Sequence, residues 1–286
     1  MDIWGCSMAT LQSNHAYRMG ERYGRHPDDD NYPGTLIIVE GIDGSGKSTQ
    51  LDLMQKWLKS RNLVTVFTEW NSSPIVKRTT KQAKNRELLT PMSFSLIHAA
   101  DFASRVHAQI LPALRAGAIV LADRYVYTAF ARDATRGVNR DWIRRIYSFA
   151  VMPTLALYFR VPLEVSIERL SAGREELKYY EAGQDMGFSR DRMESFRVFQ
   201  SKLLEEYEGL TEEFGLMTID ATQPIAVQQQ QVRRYVEPLI EDALEVGGQS
   251  VPEALAHAGL AGRYVTEPPP RRLTEQDILR LERSPE

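Results

Sequence analysis

The feature that most constrains this chain is an apolar, β-branched run that breaks into a glycine-rich turn. Leu36 to Val39 reads as a buried strand, and Gly41 to Ser48 fits the spacing G-x-x-x-x-G-K-[ST]. Glycines at 41, 44 and 46 permit backbone conformations that a Cβ would block, so successive N–H groups can converge on one anion. Lys47 adds a mobile positive charge, and the Ser48 hydroxyl can ligate Mg2+. The helical pattern Leu51, Met54, Trp57, Leu58 follows at once, and its positive dipole end points at the same place. The expected order is therefore strand, phosphate cradle, helix.

Composition narrows the class. A chain of 286 residues with 43% hydrophobic content can bury a sizeable core. Its net charge of −3 offers no global attraction to nucleic acid or to an anionic membrane, so any phosphate affinity must come from local placement. The single cysteine, Cys6, excludes an internal disulfide framework and fits a reducing, cytoplasmic setting. No run of 18 apolar residues occurs, and Asp2 and Trp4 open the chain where a leader would carry basic residues; neither a signal peptide nor a membrane span is expected. His15 and His26 lack partners at metal-site spacing and read as surface residues.

Residues 1–34 read as an irregular extension, and residues 246–286 as a tail with a short helix from Thr274 to Arg283. Between them, strands alternate with helices over 35–245, the pattern of a mostly parallel sheet covered on both faces. Further strands are expected at Leu63–Thr68, Ala118–Ala122, Leu155–Phe159 and Leu216–Ile219. The basic run Lys77, Arg78, Lys81, Lys84, Arg86 reads as a solvated helix face. Thr90-Pro91 starts a helix reaching Arg115, with Leu96, Ala99, Ala103, Val106, Ile110 and Leu114 as its core stripe. His98, Asp101, Phe102 and Arg105 fall on the adjoining stripe. Asn139 caps a helix to Val151, Pro162 opens one ending near Gly173, a long polar helix runs from Ser189 to Phe214, and Pro224 begins the last. The charged, glycine-bounded segment at about 173–188, with Arg174, Lys178, Tyr179 and Tyr180, is a candidate lid.

A second signal is Asp123-Arg124-Tyr125, delivered at the carboxyl end of a short apolar strand. In an open α/β sheet, ligands bind in the crevice beyond those ends, which brings this triplet beside the phosphate loop. An acid there can hold a Mg2+ water, and an arginine can grip a second phosphate bidentately.

Taken together, Val-Glu-Gly-Ile-Asp-Gly-Ser-Gly-Lys-Ser-Thr-Gln at 39–50, Asp123-Arg124-Tyr125, Arg169 before the lid and Ile-Asp-Ala-Thr-Gln-Pro at 219–224 resemble the thymidylate kinase family of nucleoside monophosphate kinases. The resemblance covers residues 35 to about 243. It implies a P-loop kinase fold: a three-layer α/β sandwich around a mostly parallel five-stranded sheet, with a helical lid. It implies transfer of a phosphoryl group from ATP, with Mg2+, to dTMP. Gly41, Ile42, Asp43, Gly44, Ser45, Gly46, Lys47, Ser48 and Thr49 would hold the ATP phosphates, with Arg169, Thr222 and Gln223 bordering the adenine. Ser48 and Asp123 would serve the metal. Lys47, Arg124, Asp43 and a lid arginine, Arg174, would carry the catalysis. Ser45 stands where some members have arginine, which is why the charge is sought in the lid. The family likeness also suggests a homodimer acting on small nucleotides; from the net charge and the lack of an apolar span, no nucleic-acid or membrane partner is expected.

The chain departs from the family where the thymine is read. Thr68-Glu69-Trp70-Asn71 carries no arginine after the second strand, and the pattern Phe-x-x-Asp-Arg becomes His98-Ala99-Ala100-Asp101-Phe102. The lining after Tyr125 becomes Thr128-Ala129-Phe130-Ala131-Arg132-Asp133, and the lid arginine is replaced by Tyr179 ahead of Tyr180. The expected acceptor site is accordingly Asp43, His98, Phe102, Arg105, Arg124, Thr128, Arg132 and Tyr180, with Arg105 or Arg132 replacing the missing guanidinium. A different nucleotide acceptor, or a nucleotide-binding regulatory module without acceptor chemistry, are the alternatives.

Overall fold

The computed structural model describes residues 32–173, 177–245, 251–257 and 259–260. The expected helix at Thr274–Arg283, most of the N-terminal extension and Arg174 lie outside the described residues.

Five strands, β1 (Thr35–Glu40), β2 (Thr65–Glu69), β3 (Ile119–Asp123), β4 (Leu155–Arg160) and β5 (Met217–Asp220), form one all-parallel sheet in the order β2-β3-β1-β4-β5. Helices flank it, as parallel crossovers require. β1 is central and apolar between its terminal Thr35 and Glu40, with Leu36, Ile37, Ile38 and Val39 all buried. The register aligns the carboxyl ends: Val39 pairs with Asp123, and Asp123 with Glu69. The loops leaving β1, β3 and β4 therefore emerge side by side.

The connecting helices are α1 (Lys47–Ser60), α2 (Lys77–Asn85), α3 (Pro91–Arg105), α4 (Leu111–Arg115), α5 (Val126–Thr135), α6 (Arg140–Ile146), α7 (Leu163–Gly173), α8 (Arg192–Phe214), α9 (Ile225–Glu245) and α10 (Val251–His257). Their starts follow local chemistry. Thr90 and Ser93 form a reciprocal capping box at α3, and Asn139 and Asp191 accept from the amides of Trp142 and Glu194 at α6 and α8.

Three expectations are corrected. The run expected as one helix to Arg115 contains a π turn at Val106–Ile110 just before Pro112, whose ring nitrogen has no N–H to give. Leu96, expected in the core, is 49% exposed, because α3 turns its polar stripe inward instead. That stripe is tolerated since each group finds a partner: Ser95 donates to Asp133, His98 meets Lys84, and Asp101 accepts from Arg105 and from the amides of Asn71 and Ser73. The helix capped by Asn139 ends at Ile146, where the chain turns so that Tyr147 and Phe149 pack with Phe102. Beyond residue 245, α10 adds Leu255 to the core, with Leu260 behind it.

One buried acid ties three elements together. Glu40, the last residue of β1, is fully buried, and its Oε1 accepts from the amides of Tyr125 (2.7 Å) and Thr128 (3.1 Å). These N–H groups lie at the start of α5, whose own N-cap residue, Tyr125, supplies no side-chain cap. Oε2 accepts from the hydroxyls of Thr128 (2.6 Å) and of Tyr207 (2.9 Å) on α8. Burial pushes the Glu40 carboxyl above its ordinary range, against the pull of these donors and of Arg124. Glu40→Ala takes the carboxylate from four buried donors, of which the Thr128 amide keeps the Tyr125 carbonyl and the Thr128 and Tyr207 hydroxyls keep each other, and the expected loss is about 1–3 kcal/mol, the usual cost of an unsatisfied buried polar group. Glu40→Gln keeps an acceptor for the two amides and should lose roughly half as much. Urea unfolding midpoints check this; a wild-type midpoint for the alanine variant would remove Glu40 from this role.

Candidate active site

The turn after β1 folds as the glycine spacing predicts. A Cβ on Gly41 would sit 2.7 Å from the Phe159 carbonyl oxygen, and one on Gly44 would sit 2.7 Å from that of Ser166, so both are closed to larger residues. Gly46 is needed for a different reason: a Cβ there would meet only Arg169 Nη1 at 3.9 Å, but its φ of 84° is a left-handed conformation at the N-cap of α1. Ser166 on α7 donates to the Asp43 carbonyl at 2.6 Å and Arg169 to that of Gly44 at 3.5 Å, fixing the loop from the β4 side.

Two cations flank this loop. Lys47 is 6% exposed and donates to the Ile42 carbonyl at 3.2 Å. Arg124 donates to the Gly41 carbonyl at 3.2 Å and to the Asp43 carboxylate. Three consecutive residues, 41, 42 and 43, are thus gripped by Lys47 and Arg124 together. Arg124 has φ 70°, rare for a residue with a Cβ, while its amide still extends the sheet ladder to Val39 at 3.0 Å. Burial lowers the Arg124 pKa, but Asp43, Tyr207, Asp123 and Glu40 outweigh it, so it stays firmly charged. Lys47 is pushed down to about 8, first by burial and then by the neighbouring Arg124.

Arg132, from α5, completes the group with hydrogen bonds of 3.2 and 3.1 Å to the two Asp43 oxygens. On the opposite flank, Ser48 donates to Asp123 Oδ2 at 2.7 Å, while Oδ1 is buried without a hydrogen-bond partner. That hard-oxygen pair suits Mg2+, whose remaining ligands are ordinarily water and phosphate. Among the described residues no group of three or more acidic, histidine or cysteine side chains is placed to hold a metal by itself. Arg169 also reaches the Ala221 carbonyl at 2.8 Å, so the loop after β5 lies against the same turn. There Asp220 accepts from Thr222 and Gln223, which fixes both side chains and lowers the Asp220 pKa. Ile42 is buried, and among these loop residues it offers its backbone alone. Ser45 is likewise buried, its Oγ without a hydrogen-bond partner.

The expected acceptor residues divide. Asp43, Arg124 and Arg132 meet at one point. Thr128 is corrected to a supporting place, fully buried with its hydroxyl on Glu40, and Phe102 is enclosed by Tyr125, Tyr147 and Phe149. Arg105 is 2% exposed, ion-paired with Asp101 at 2.9 Å and donating to Thr68 at 3.1 Å, under the rings of Trp70 and Phe102. The Tyr180 hydroxyl is engaged with the backbone of Leu89, and Arg136 holds Tyr180 and Asp185, so this part of the candidate lid is docked on the α3 side.

The sequence reading missed Trp70, Lys84, Glu40 and Arg136. Lys84 corrects the solvated-face expectation for α2: Lys77, Arg78 and Lys81 are exposed, but Lys84 turns inward, with Nζ 3.1 Å from His98 Nε2 and 5.0 Å from the Phe94 ring centre. The sequence carried no signal for this: Thr80, one turn earlier, is buried on the same side of that helix but is as polar as its neighbours. Burial, then the charges of Arg132 and Arg136, push Lys84 down to about 8. His98 stacks between Phe94 (4.2 Å) and Trp70 (6.0 Å), and burial followed by Lys84 holds it well below its usual range, hence neutral.

Comparison with known proteins agrees with this geometry. A family model described as Thymidylate kinase matches residues 39–232. The chain is 42% identical over 212 residues to the probable thymidylate kinase 2 of Saccharolobus solfataricus, covering 74% of this chain and 99% of that one. It is 28% identical over 215 residues to the probable thymidylate kinase of Thermococcus kodakarensis, covering 72% and 98%, respectively. With the thymidylate kinase of Desulfotalea psychrophila it shares 35% identity over 147 residues, 51% of this chain and 73% of the relative. From a phosphate loop, an Asp-Arg-Tyr triplet beside it and matches over most of the length of these relatives, it follows that the chain belongs to the thymidylate kinase family.

Proposed function

We propose that this protein transfers the γ-phosphoryl group of ATP to dTMP, forming dTDP and ADP. The observation that carries the reading is the pair of cations, Lys47 and Arg124, gripping adjacent carbonyls of one loop. Such a pair can hold a donor and an acceptor phosphate on either side of a migrating phosphoryl group. The names of the relatives support the same reaction.

In this scheme an oxygen of the acceptor phosphate forms a bond to the γ-phosphorus as the bond to the β,γ-bridging oxygen breaks. A phosphate monoester, with a second pKa of about 6, is mostly dianionic at neutral pH, so no general base is required. The chain's work is positioning and charge neutralisation. The amides of 41–48 and Lys47 hold the donor phosphates, and Arg169 with the 222–223 turn borders the adenine. Arg124 and Arg132, both resting on Asp43, hold the acceptor phosphate. Ser48 and Asp123 hold Mg2+, which when bound supplies neutralisation of the donor phosphates. Residues 35–245 act as the catalytic unit, and the protein works in the cytoplasm; among the described residues no helix is long and apolar enough to cross a membrane.

A kinase assay with dTMP, dUMP, other monophosphates and unphosphorylated nucleosides tests the reading. ATP consumption in proportion to phosphorylated dTMP is expected, and slow hydrolysis indifferent to any acceptor would overturn it. Lys47→Ala and Arg124→Ala should each lower kcat by at least about 100-fold, the scale for losing one charge partner of the transition state. An unchanged rate removes that residue from its role.

The lowered Lys47 pKa adds a pH signature. Its ammonium begins to lose its proton as pH passes about 8, and the anionic phosphates bind the protonated form. At saturating acceptor, kcat/KM for ATP should be level below about pH 8 and fall toward tenfold per unit above it. A flat profile from about pH 7 to 9.5 would count against Lys47 as a phosphate ligand.

A further inference from the structure

The cations on the acceptor side of the loop are not held alike. Arg124 and Arg132 rest on Asp43, and Arg136 is paired with Asp185. Lys84 has no such carboxylate: its one hydrogen-bond partner among the described residues is His98 Nε2, at 3.1 Å. His98 Nδ1 lies 2.7 Å from the Phe94 carbonyl oxygen, which can only accept. Nδ1 therefore carries the ring proton, and Nε2 presents a lone pair to the ammonium. The imidazole orients Lys84 without neutralising it.

Lys84 is thus an inward-facing ammonium with two N–H groups beyond the one given to His98, set beside the rings of Phe94 and His98. The carboxylate that acts on it, Glu181, is ion-paired with Lys178 at 3.3 Å, and holding a charge against packed rings with no carboxylate hydrogen-bonded to it is unfavourable for structure alone, whereas the other basic residues of α2 reach water. Its position along the cleft can be ordered. Arg132 rests on Asp43 of the phosphate loop, Arg136 follows one turn along the chain from Arg132 with its guanidinium 4.3 Å from the Phe94 ring centre, and Lys84 Nζ lies 5.0 Å from that same ring. Lys84 therefore lies beyond Arg132 as seen from the phosphate loop. A nucleotide whose phosphate is held by Arg124 and Arg132 would extend its base in that direction. On a pyrimidine the 2-oxo group flanks the bond to the sugar, and the 4-position is the far edge. With phosphate charge already met by Lys47, Arg124 and Arg132, the remaining partner for Lys84 is a neutral oxygen acceptor on that edge.

Resting on the function proposed above, we propose that Lys84 is a specificity-determining residue of the acceptor site. Oriented by His98, its ammonium donates to the 4-oxo group of a thymine or uracil and disfavours cytosine, whose 4-amino group would set donor against donor. A hydrogen bond from a charged group discriminates by about 10- to 100-fold.

The test is kcat and KM for dTMP, dUMP and dCMP with the wild type, Lys84→Met, and Lys81→Met as the outward-facing control on the same helix. In Lys84→Met, KM for dTMP and dUMP should rise about 10- to 100-fold with kcat nearly unchanged, and the preference for dTMP over dCMP should fall by the same factor. Lys81→Met should match the wild type. A preference unchanged in Lys84→Met, with dTMP still a good substrate, overturns the assignment and leaves the proposed function standing. A wild type inactive on every monophosphate overturns both. The wild type alone gives a second reading that does not depend on how the variant folds. Its kcat/KM should drop by about 10- to 100-fold for a dTMP analogue whose ring carries hydrogen in place of the 4-oxo group, and equal values for the two acceptors overturn the assignment.

Discussion

The carboxylate of Glu40 is the interaction on which the arrangement of the loop and its cations depends. It ends the central strand, so it sits one residue before the phosphate loop, and it satisfies the start of the helix that follows Asp123-Arg124-Tyr125. Without that acceptor, the amides of Tyr125 and Thr128 would lose their buried carboxylate, and Tyr125 has no capping side chain of its own to replace it. Meeting them from β1 sets the distance between the two phosphate-facing segments by hydrogen bonds only a few ångströms long. The Tyr207 hydroxyl extends the same network to α8. Arg124 can then hold an unfavourable backbone conformation because the structure around it is over-determined.

The same principle, a charge kept by partners and not by water, runs through the acceptor side. α3 buries Ser95, His98, Asp101 and Arg105, which as an isolated sequence look like the wrong face of an amphipathic helix. Each is answered from another element: Asp133 on α5, Lys84 on α2, and the turn after β2. Arg136 is held in the same way by Asp185 and the Tyr180 carbonyl, with its guanidinium over Phe94 and Phe199. A site with this much buried charge is a specific site, since every group must find its partner before the next can be placed.

The gaps in the sequence reading follow a physical pattern. Strand and helix positions, the N-cap at Thr90, the cap at Asn139 and the glycine loop were legible because they depend on local spacing and backbone sterics. Leu96 was misplaced because periodicity assigns apolar residues inward and cannot foresee that a polar stripe will be satisfied from elsewhere. Arg105 looked able to reach a ligand by spacing alone, yet Asp101 and Thr68 hold its guanidinium in the interior. Thr128 was read as lining the cleft, and Glu40, far away in sequence, takes its hydroxyl.

By itself the sequence determined a parallel α/β sheet, the phosphate cradle after its central strand and the Asp-Arg pair beyond β3, because each is written in short-range patterns of side-chain alternation, glycine and charge. Only the tertiary structure decided which cations face the cleft and what holds them. Asp43 joins Arg124 to Arg132 across more than 80 residues, and Lys84 turns toward His98. Those choices rest on burial, which no local pattern records: a charged group moves inward only where a partner from another part of the chain replaces its water.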